Sequence, residues 1–137
     1  MYDYTNFIRI TRIMGEIVLK DESYKIIGIC MDVHRELGMG FKEAVYKEAL
    51  ELEFNNQNIP YEREKLFRSE YKGTILRHKY PADFILFDQL ILEVKATAVI
   101  IDSFVAQTIN YLKASGFKLG IIANFGQKSF VHKRIVF

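Results

Sequence analysis

Residues 81–95 have the sequence PADFILFDQLILEVK, and this stretch decides the fold. Two apolar runs, Asp83–Phe87 and Leu90–Lys95, are separated by Asp88-Gln89, a pattern typical of a β-hairpin whose second strand is mostly buried. Charged residues are rare inside such strands, because an unpaired buried charge is costly unless a partner or a metal ion compensates it. The charged residues in this buried hairpin therefore indicate a partner, a metal ion or a chemical function.

The relative position of these charges depends on how the two strands pair. Glu93 and Lys95 lie on one face of their strand, because side chains alternate between the two faces. Asp83 lies opposite Glu93 on that face only if the pairing register has even parity. A three-residue loop at Phe87–Gln89, or a β-bulge, would provide this register, and we predict one of the two.

With that register, Asp83 and Glu93 form a pair of hard oxygen ligands suited to Mg²⁺ or Mn²⁺. Such an ion can polarise a scissile phosphate and lower the pKa of a bound water, while Lys95 can orient that water or offset developing negative charge. The hairpin therefore predicts hydrolysis of a phosphodiester. The alternative is that Glu93 and Lys95 simply pair with neighbours on a partly exposed strand.

The rest of the chain alternates between helical and strand patterns. Helices are predicted at Glu22–Leu37 and from Phe41 to about Phe54, and a third begins at Asp102 as N-cap, runs to about Ser115 and is closed by Gly116. Further strands are predicted at Tyr61–Tyr71, Thr74–Tyr80, Leu119–Asn124 and Phe130–Val136. The expected fold class is therefore α/β (α+β).

Two polar pairs on the predicted helices are further candidates for the site. Glu43 and Tyr46 lie three residues apart, and Gln107 and Tyr111 lie four apart, so each pair shares one helix face. The amide and hydroxyl of the second pair could bind phosphate or a metal-bound water. The alternatives are a first-turn carboxylate and a packing aromatic for the first pair, and an ordinary polar helix face for the second.

The few histidines and the single cysteine argue against a zinc site and against disulfide bonds. His34 on the first helix is a candidate supporting residue, although a structural histidine is the favoured interpretation, and the three histidines have no zinc spacing. The single Cys30 lies among apolar residues, so we expect neither disulfides nor a cysteine zinc site. This usage indicates a reducing, intracellular setting.

The length of the chain indicates a single domain, and its net charge is small. A chain of 137 residues, half of them hydrophobic, can bury one core, and its net charge of +2 is too small to establish a nucleic-acid partner by itself. No apolar run approaches the length of a membrane span, and residues 1–20 lack the pattern of a signal peptide. We therefore expect a soluble, cytoplasmic protein without a membrane partner.

Four motifs in order carry a resemblance to a known family. Residues 40–46 (GFKEAVY) match G-x-x-E-x-x-Y, Asp83 with residues 93–95 (EVK) matches D-x(n)-E-x-K, and residues 107–111 (QTINY) match Q-x-x-x-Y. Residues 124–126 (NFG) follow in the same order. The chain resembles the GxxExxY family, a branch of the PD-(D/E)XK nuclease superfamily.

This resemblance implies a restriction-endonuclease-like core of α-β-β-β-α-β order, with a mixed central β-sheet flanked by helices. It implies metal ligation by Asp83 and Glu93, an acidic contribution from Glu43, and Lys95 as a catalytic residue. It also implies supporting roles for Gln107 and Tyr111. Residues 22–137 then form a single domain, preceded by an N-terminal extension, residues 1–21, to which no structure is assigned.

The resulting hypothesis is a nuclease dependent on Mg²⁺ or Mn²⁺ that cuts nucleic acid, with DNA as the expected substrate. The main alternative is a non-catalytic nucleic-acid-binding or assembly module on the same fold. A third interpretation is a protein that forms a homodimer, with Glu93 and Lys95 in a structural ion pair. A symmetric dimer would also be a common way for so small a nuclease to meet two strands.

Overall fold

The computed structural model describes residues 17–137 and, at residue 80, the backbone alone. Residues 1–16, most of the predicted N-terminal extension, lie outside this range. In the described range the elements are α1 (Lys20–Leu37), α2 (Glu43–Asn56), β1 (Tyr61–Tyr71), β2 (Thr74–Leu86), β3 (Leu90–Lys95), α3 (Asp102–Ser115), β4 (Leu119–Asn124) and β5 (Val131–Val136). From α2 to β4 the order is α-β-β-β-α-β, which confirms the predicted core.

The five strands form one mixed sheet in the order β1-β2-β3-β4-β5. Strands β3 and β4 are parallel and are connected through α3, whereas the other neighbouring pairs are antiparallel. Helices α1 and α2 cover one face of the sheet, and α3 covers the other. Because both faces are covered, β3 and β4 are buried along almost their whole length, as a central strand requires.

The predicted loop between β2 and β3 is confirmed. Leu86 pairs with Leu90, and the three residues between them form the connection. Phe87 and Asp88 adopt positive φ angles of 55° and 54°, and the N–H of Gln89 donates to the carbonyl oxygen of Leu86 at 3.0 Å. The register that follows pairs Phe84 with Leu92, so Asp83 and Glu93 come next to each other at the following position.

The prediction of separate strands at Thr74–Tyr80 and Asp83–Phe87 is wrong, since both belong to the 13-residue strand β2. Pro81 does not interrupt this strand, although it lacks an N–H group. It pairs with Leu66 of β1, and β3 pairs with β2 only at residues 84–86. A missing N–H is tolerated where a strand has a neighbour on one side alone.

Helix α3 begins one residue away from the predicted position and ends where predicted. Asp102 is the first residue of the helix, and Ile101, not Asp102, is its N-cap. Gly116 ends the helix with a φ of 78°, the left-handed conformation that glycine adopts without strain, as predicted. This shift of one residue at the start of α3 leaves the predicted helix face unchanged.

The core on the α1 side contains the one cysteine of the chain. Cys30 is fully buried and is a free thiol, and burial raises the pKa of that thiol far above its ordinary value. It therefore serves as a small apolar side chain, as its surroundings in the sequence predicted. Across residues 17–137, no helix combines the length and the apolar character that crossing a membrane requires.

Candidate functional site

The site lies where β2 and β3 separate. Beyond the Phe84–Leu92 pair, two side chains take over the hydrogen bonds that a continued ladder would make. The N–H of Asp83 donates to Glu93 Oε1 at 3.3 Å, and the N–H of Val94 donates to Asp83 Oδ2 at 2.8 Å. The strand separation therefore holds two carboxylates side by side, as the even register predicted.

The second oxygen of Asp83 binds a cation supplied by α2. Lys47 Nζ lies 2.8 Å from Asp83 Oδ1, and the two side chains are only 16% and 14% exposed. Sequence reasoning missed this lysine. The available signal was its position one turn after Glu43, on the same face of the helix.

The charges around Lys47 explain its protonation. Burial by itself lowers the pKa of its ammonium, but the hydrogen bond to Asp83 and the nearby carboxylates of Asp83, Glu43 and Glu64 together raise it. Lys47 is therefore a fixed positive charge at neutral pH. In this arrangement it neutralises Asp83.

Glu93 is 3% exposed, and among residues 17–137 it has no ion-pair partner as close as that of Asp83. Burial and the neighbouring charge of Asp83 raise the pKa of Glu93 to about 9, although the positive charge of Lys95 acts in the opposite direction. The carboxyl group of Glu93 is thus protonated at neutral pH when no further cation is present.

This pKa predicts how stability depends on pH in the metal-free protein. Because the folded-state pKa of Glu93 is about 9 and its ordinary value is 4.5, the folded chain holds a proton that the unfolded chain releases between these values. Its contribution to stability is fully present below pH 4.5 and is lost as the pH rises toward 9. We expect Glu93→Gln, which cannot ionise, to gain about 2–4 kcal/mol relative to wild type between pH 5 and pH 8.

Urea denaturation in EDTA at several pH values measures this difference. The exposed Glu36→Gln variant is the matched control, and its stability should follow that of wild type at every pH. Parallel stability curves for Glu93→Gln and wild type would show that Glu93 is ionised in the folded protein, contrary to the prediction.

Lys95 points toward α3, where two residues receive its side chain. Its Nζ lies 4.4 Å from the centre of the Phe104 ring and donates to Gln107 Oε1 at 3.5 Å. The hydroxyl of Tyr111, one turn further along, donates to the Pro81 carbonyl oxygen at 2.9 Å and so ties α3 to β2 beside Asp83. The predicted pair Gln107 and Tyr111 therefore borders the carboxylates.

The chain that follows Lys95 is held by Asn124, a fully buried residue at the end of β4. Lys95 and Asn124 pair in the parallel register, so the site lies at the carboxyl end of the two parallel strands. Asn124 Oδ1 accepts hydrogen bonds from the N–H groups of Thr97 and Gly126 at 3.0 and 3.1 Å, and its Nδ2 donates to the Thr97 carbonyl oxygen at 3.0 Å. These bonds fix the backbone on which Lys95 is mounted.

Two further predicted residues, Glu43 and Tyr46, lie on α2. Glu43 is the first residue of α2, one turn before Lys47, and it acts on Lys47 electrostatically. Tyr46 is fully buried, and its hydroxyl donates to the Gly38 carbonyl oxygen at 2.7 Å, closing the turn before α2. These contacts order the start of the helix that carries Glu43 and Lys47.

His34 contacts the connection between β4 and β5. Its Nε2 is 2.8 Å from the carbonyl oxygen of Gln127 in the β4–β5 connection, and its ring packs near Phe125 and Phe130. These contacts join α1 to the loop after β4.

The donor set fits a hard divalent cation held by two carboxylates. Within residues 17–137, no three His, Cys, Asp or Glu side chains are grouped closely enough to hold a metal ion together. Mg²⁺ needs fewer protein ligands than that, since it is commonly bound by one or two carboxylates, with waters and substrate phosphates completing the shell. The ammonium of Lys47 on Asp83 indicates that this position already accepts a positive charge.

A surface groove of about 780 Å³ lies elsewhere, between α3 and β5. Its apolar lining includes Val105, Ile109 and Ile135, and it does not include Asp83, Glu93 or Lys95. The buried Glu93 carboxyl, by contrast, has a raised pKa of the kind that marks functional sites, and it lies beside Asp83. We therefore assign the site by its charged groups and not by the size of a cavity.

Comparisons with known proteins agree with this geometry. A crystal structure titled "Crystal structure of SSO0001" is similar, with a TM-score of 0.54 and 19% identity over 68% of this chain and 48% of that one. At this identity the likeness shows the fold, and this chain spans about half the length of that protein. No curated protein matches the sequence. A model of the PD-(D/E)XK nuclease superfamily matches residues 20–135, so the chain belongs to that superfamily and has its restriction-endonuclease-like fold.

Proposed function

We propose that this protein is a metal-dependent nuclease that hydrolyses phosphodiester bonds of nucleic acid, with DNA as its substrate. The observation that carries the proposal is the convergence of Asp83, Glu93 and Lys95 at the point where β2 leaves β3. Membership of a nuclease superfamily supports the same reaction class. A fold by itself does not establish an activity, so the argument rests on the chemistry of these groups.

In the proposed reaction Asp83 and Glu93 would hold Mg²⁺ or Mn²⁺. When bound, this ion supplies Lewis-acid activation of the scissile phosphate and of a water molecule. The two carboxylates suit the task because a backbone N–H group fixes one oxygen of each. Lys47 then has to leave Asp83 Oδ1, and the nearby Glu43 carboxylate can receive its ammonium or contribute to the metal site.

Lys95 orients the attacking water in this proposal. Hydrolysis forms a bond from the water oxygen to phosphorus and breaks the bond to the leaving oxygen, which takes a proton. An ammonium beside the reacting phosphate donates hydrogen bonds and offsets the negative charge that develops there. Gln107 Oε1 and the Phe104 ring hold the side chain in place without neutralising its charge.

Within the superfamily we propose that the chain belongs to the GxxExxY branch. The motif at residues 40–46 has a physical explanation in the fold, because the hydroxyl of Tyr46 closes the turn at Gly38 and also accepts a hydrogen bond from the N–H of Phe41 at 3.3 Å. This turn sets where α2 begins and therefore where Glu43 lies. The motif's tyrosine therefore orders the turn that precedes the motif's glutamate.

Titration calorimetry with Mn²⁺ and Mg²⁺ tests the proposed site and needs no defined substrate sequence. We expect wild type to bind the ion and Asp83→Asn to lose binding, because asparagine can keep the hydrogen bond to Val94 but carries no charge. Lys47→Gln should bind more tightly than wild type, since no ammonium competes for Asp83. The control is Asp32→Asn, which removes an exposed carboxylate paired with Arg35 and should leave binding unchanged.

The same titration is repeated with a duplex whose backbone resists hydrolysis, which supplies phosphate oxygens to the coordination shell. An absence of metal binding by wild type under both conditions would overturn the proposal. Salt-dependent binding of nucleic acid without metal binding would then favour the non-catalytic module.

A further inference from the structure

The hairpin formed by β1 and β2 extends well beyond the sheet. Strand β2 pairs with β3 only at residues 84–86, whereas its pairing with β1 continues to the Tyr71–Thr74 pair. We call residues 66–81 the hairpin arm. At about 3.3 Å per residue along β1, the arm reaches about 20 Å from the Leu66–Pro81 pair to its tip at Lys72-Gly73. It begins two residues from Asp83.

The arm concentrates positive charge. Its 16 residues contain four basic side chains and one acidic one, a net charge of +3, whereas the whole chain carries +2. The other 121 residues therefore sum to −1. All four basic residues of the arm are exposed, and none has an ion pair within the described part of the chain: Arg68, Lys72, Arg77 and Lys79.

The pairing of the strands places two of these cations together. Arg68 pairs directly with Lys79, so the two side chains project from the same face of the arm. Phe67, which points to the opposite face, packs against Phe117 and the core beneath α3. Arg68 and Lys79 consequently lie on the face turned away from α3. Like charges placed opposite each other destabilise a strand pair, and an anionic partner would offset this repulsion.

The tip of the arm adds apolar contact area to this charge. Tyr71 and Ile75 are 61% and 63% exposed, among the most exposed large hydrophobic side chains of the described residues. The ammonium of Lys72 lies 5.4 Å from the centre of the Tyr71 ring. Cations that flank exposed apolar groups suit a polyanion that also presents apolar surfaces.

We propose that the hairpin arm is a DNA-binding element that enters the major groove of B-form DNA and positions the duplex over the carboxylates. The proposal rests on the proposed function, since it assigns the substrate of that site. A two-stranded β-ribbon fits the major groove, in which the cations reach the phosphates and the apolar tip reaches base methyl groups. The deep, narrow major groove of A-form RNA does not admit such an element.

Fluorescence anisotropy with a labelled DNA duplex of about two helical turns tests this proposal in EDTA, where no metal-dependent cleavage takes place. The arm variant carries Arg68→Gln, Arg77→Gln and Lys79→Gln. We expect its affinity for the duplex to fall at least about tenfold. The slope of log K against log salt concentration should become less negative by about 2–3, since three phosphate contacts are removed. The duplex should bind wild type more tightly than an RNA duplex of the same sequence.

The matched control removes the same charge from exposed lysines near the opposite end of the sheet: Lys25→Gln, Lys113→Gln and Lys118→Gln. The proposal is overturned if wild type does not bind the duplex, if both triple variants lose affinity equally, or if RNA binds as well as DNA. Cleavage assays separate this result from the nuclease proposal. If the arm variant binds DNA more weakly but wild type cuts no DNA, the arm is a DNA-binding element and the nuclease proposal is wrong. If wild type cuts DNA but the arm variant binds it as tightly as wild type does, the nuclease proposal stands and the arm proposal is wrong.

Discussion

Lys95→Met should reduce the rate of metal-dependent DNA cleavage about a thousandfold while the protein remains folded. Methionine keeps an unbranched side chain against the Phe104 ring but removes the ammonium that Gln107 holds at 3.5 Å. Removing one preorganised donor from a developing negative charge costs about 10²–10³ in rate, and groups that act as a unit cost more. Single-turnover cleavage of a labelled duplex in saturating Mn²⁺ measures the effect on the chemical step.

The control for this variant is Lys113→Met, which removes an exposed lysine from the far end of α3. Its cleavage rate should equal that of wild type. The metal affinity of Lys95→Met should also be retained, because Asp83 and Glu93 are untouched. A Lys95→Met protein that cuts at the wild-type rate would exclude Lys95 from the reaction, and retained cleavage in Asp83→Asn as well would remove the nuclease assignment.

The second large effect concerns Gly126, which lies against the backbone that follows Lys95. A Cβ atom at this position would lie 2.3 Å from both the N and the O of Thr97 and 2.6 Å from the Ala96 carbonyl carbon. These are backbone atoms, so they cannot rotate away as a side chain could. We expect Gly126→Ala to lose about 3 kcal/mol of stability, because the Asn124–Thr97 hydrogen bonds must open to make room.

For a chain of this length, a loss of that size lowers the melting temperature by roughly 10 °C. The matched control is Gly28→Ala on α1, where a Cβ atom meets nothing within 4 Å and the helix gains from the substitution. Scanning calorimetry should therefore show a melting temperature below that of wild type for Gly126→Ala, and one equal to or above that of wild type for Gly28→Ala. A Gly126→Ala protein that melts with wild type would show that the 96–97 loop can move freely.

This loop also connects stability with activity. Asn124 anchors Thr97, and Thr97 follows Lys95 by two residues, so a displaced loop moves the base of the lysine. Active sites of this kind depend on supporting hydrogen bonds, because misplacement by about 1 Å can cost two orders of magnitude in rate. Any Gly126→Ala protein that remains folded should therefore cut DNA more slowly than wild type.

Much of the site could be predicted because its determinants are local. The apolar spacing of β3 placed Glu93 and Lys95 on one face, and the length of the Phe87–Gln89 connection decided the partner of Glu93. Both depend on neighbouring residues alone. The error at β2 has a different origin, since Pro81 is a strand breaker in sequence and becomes harmless only because β3 ends its pairing before reaching it.

The sequence by itself determined the fold class, the helix ends and the shared face of Glu93 and Lys95, since alternation and helix stop signals act over a few residues. Only the tertiary structure decided that Lys47, 36 residues before Asp83, neutralises it, and that Asn124, 27 residues after Thr97, holds the chain beyond Lys95. Such partners are chosen by the packing of α2 and β4 on the sheet. No local pattern records that packing, because its energy comes from burial shared among many distant residues.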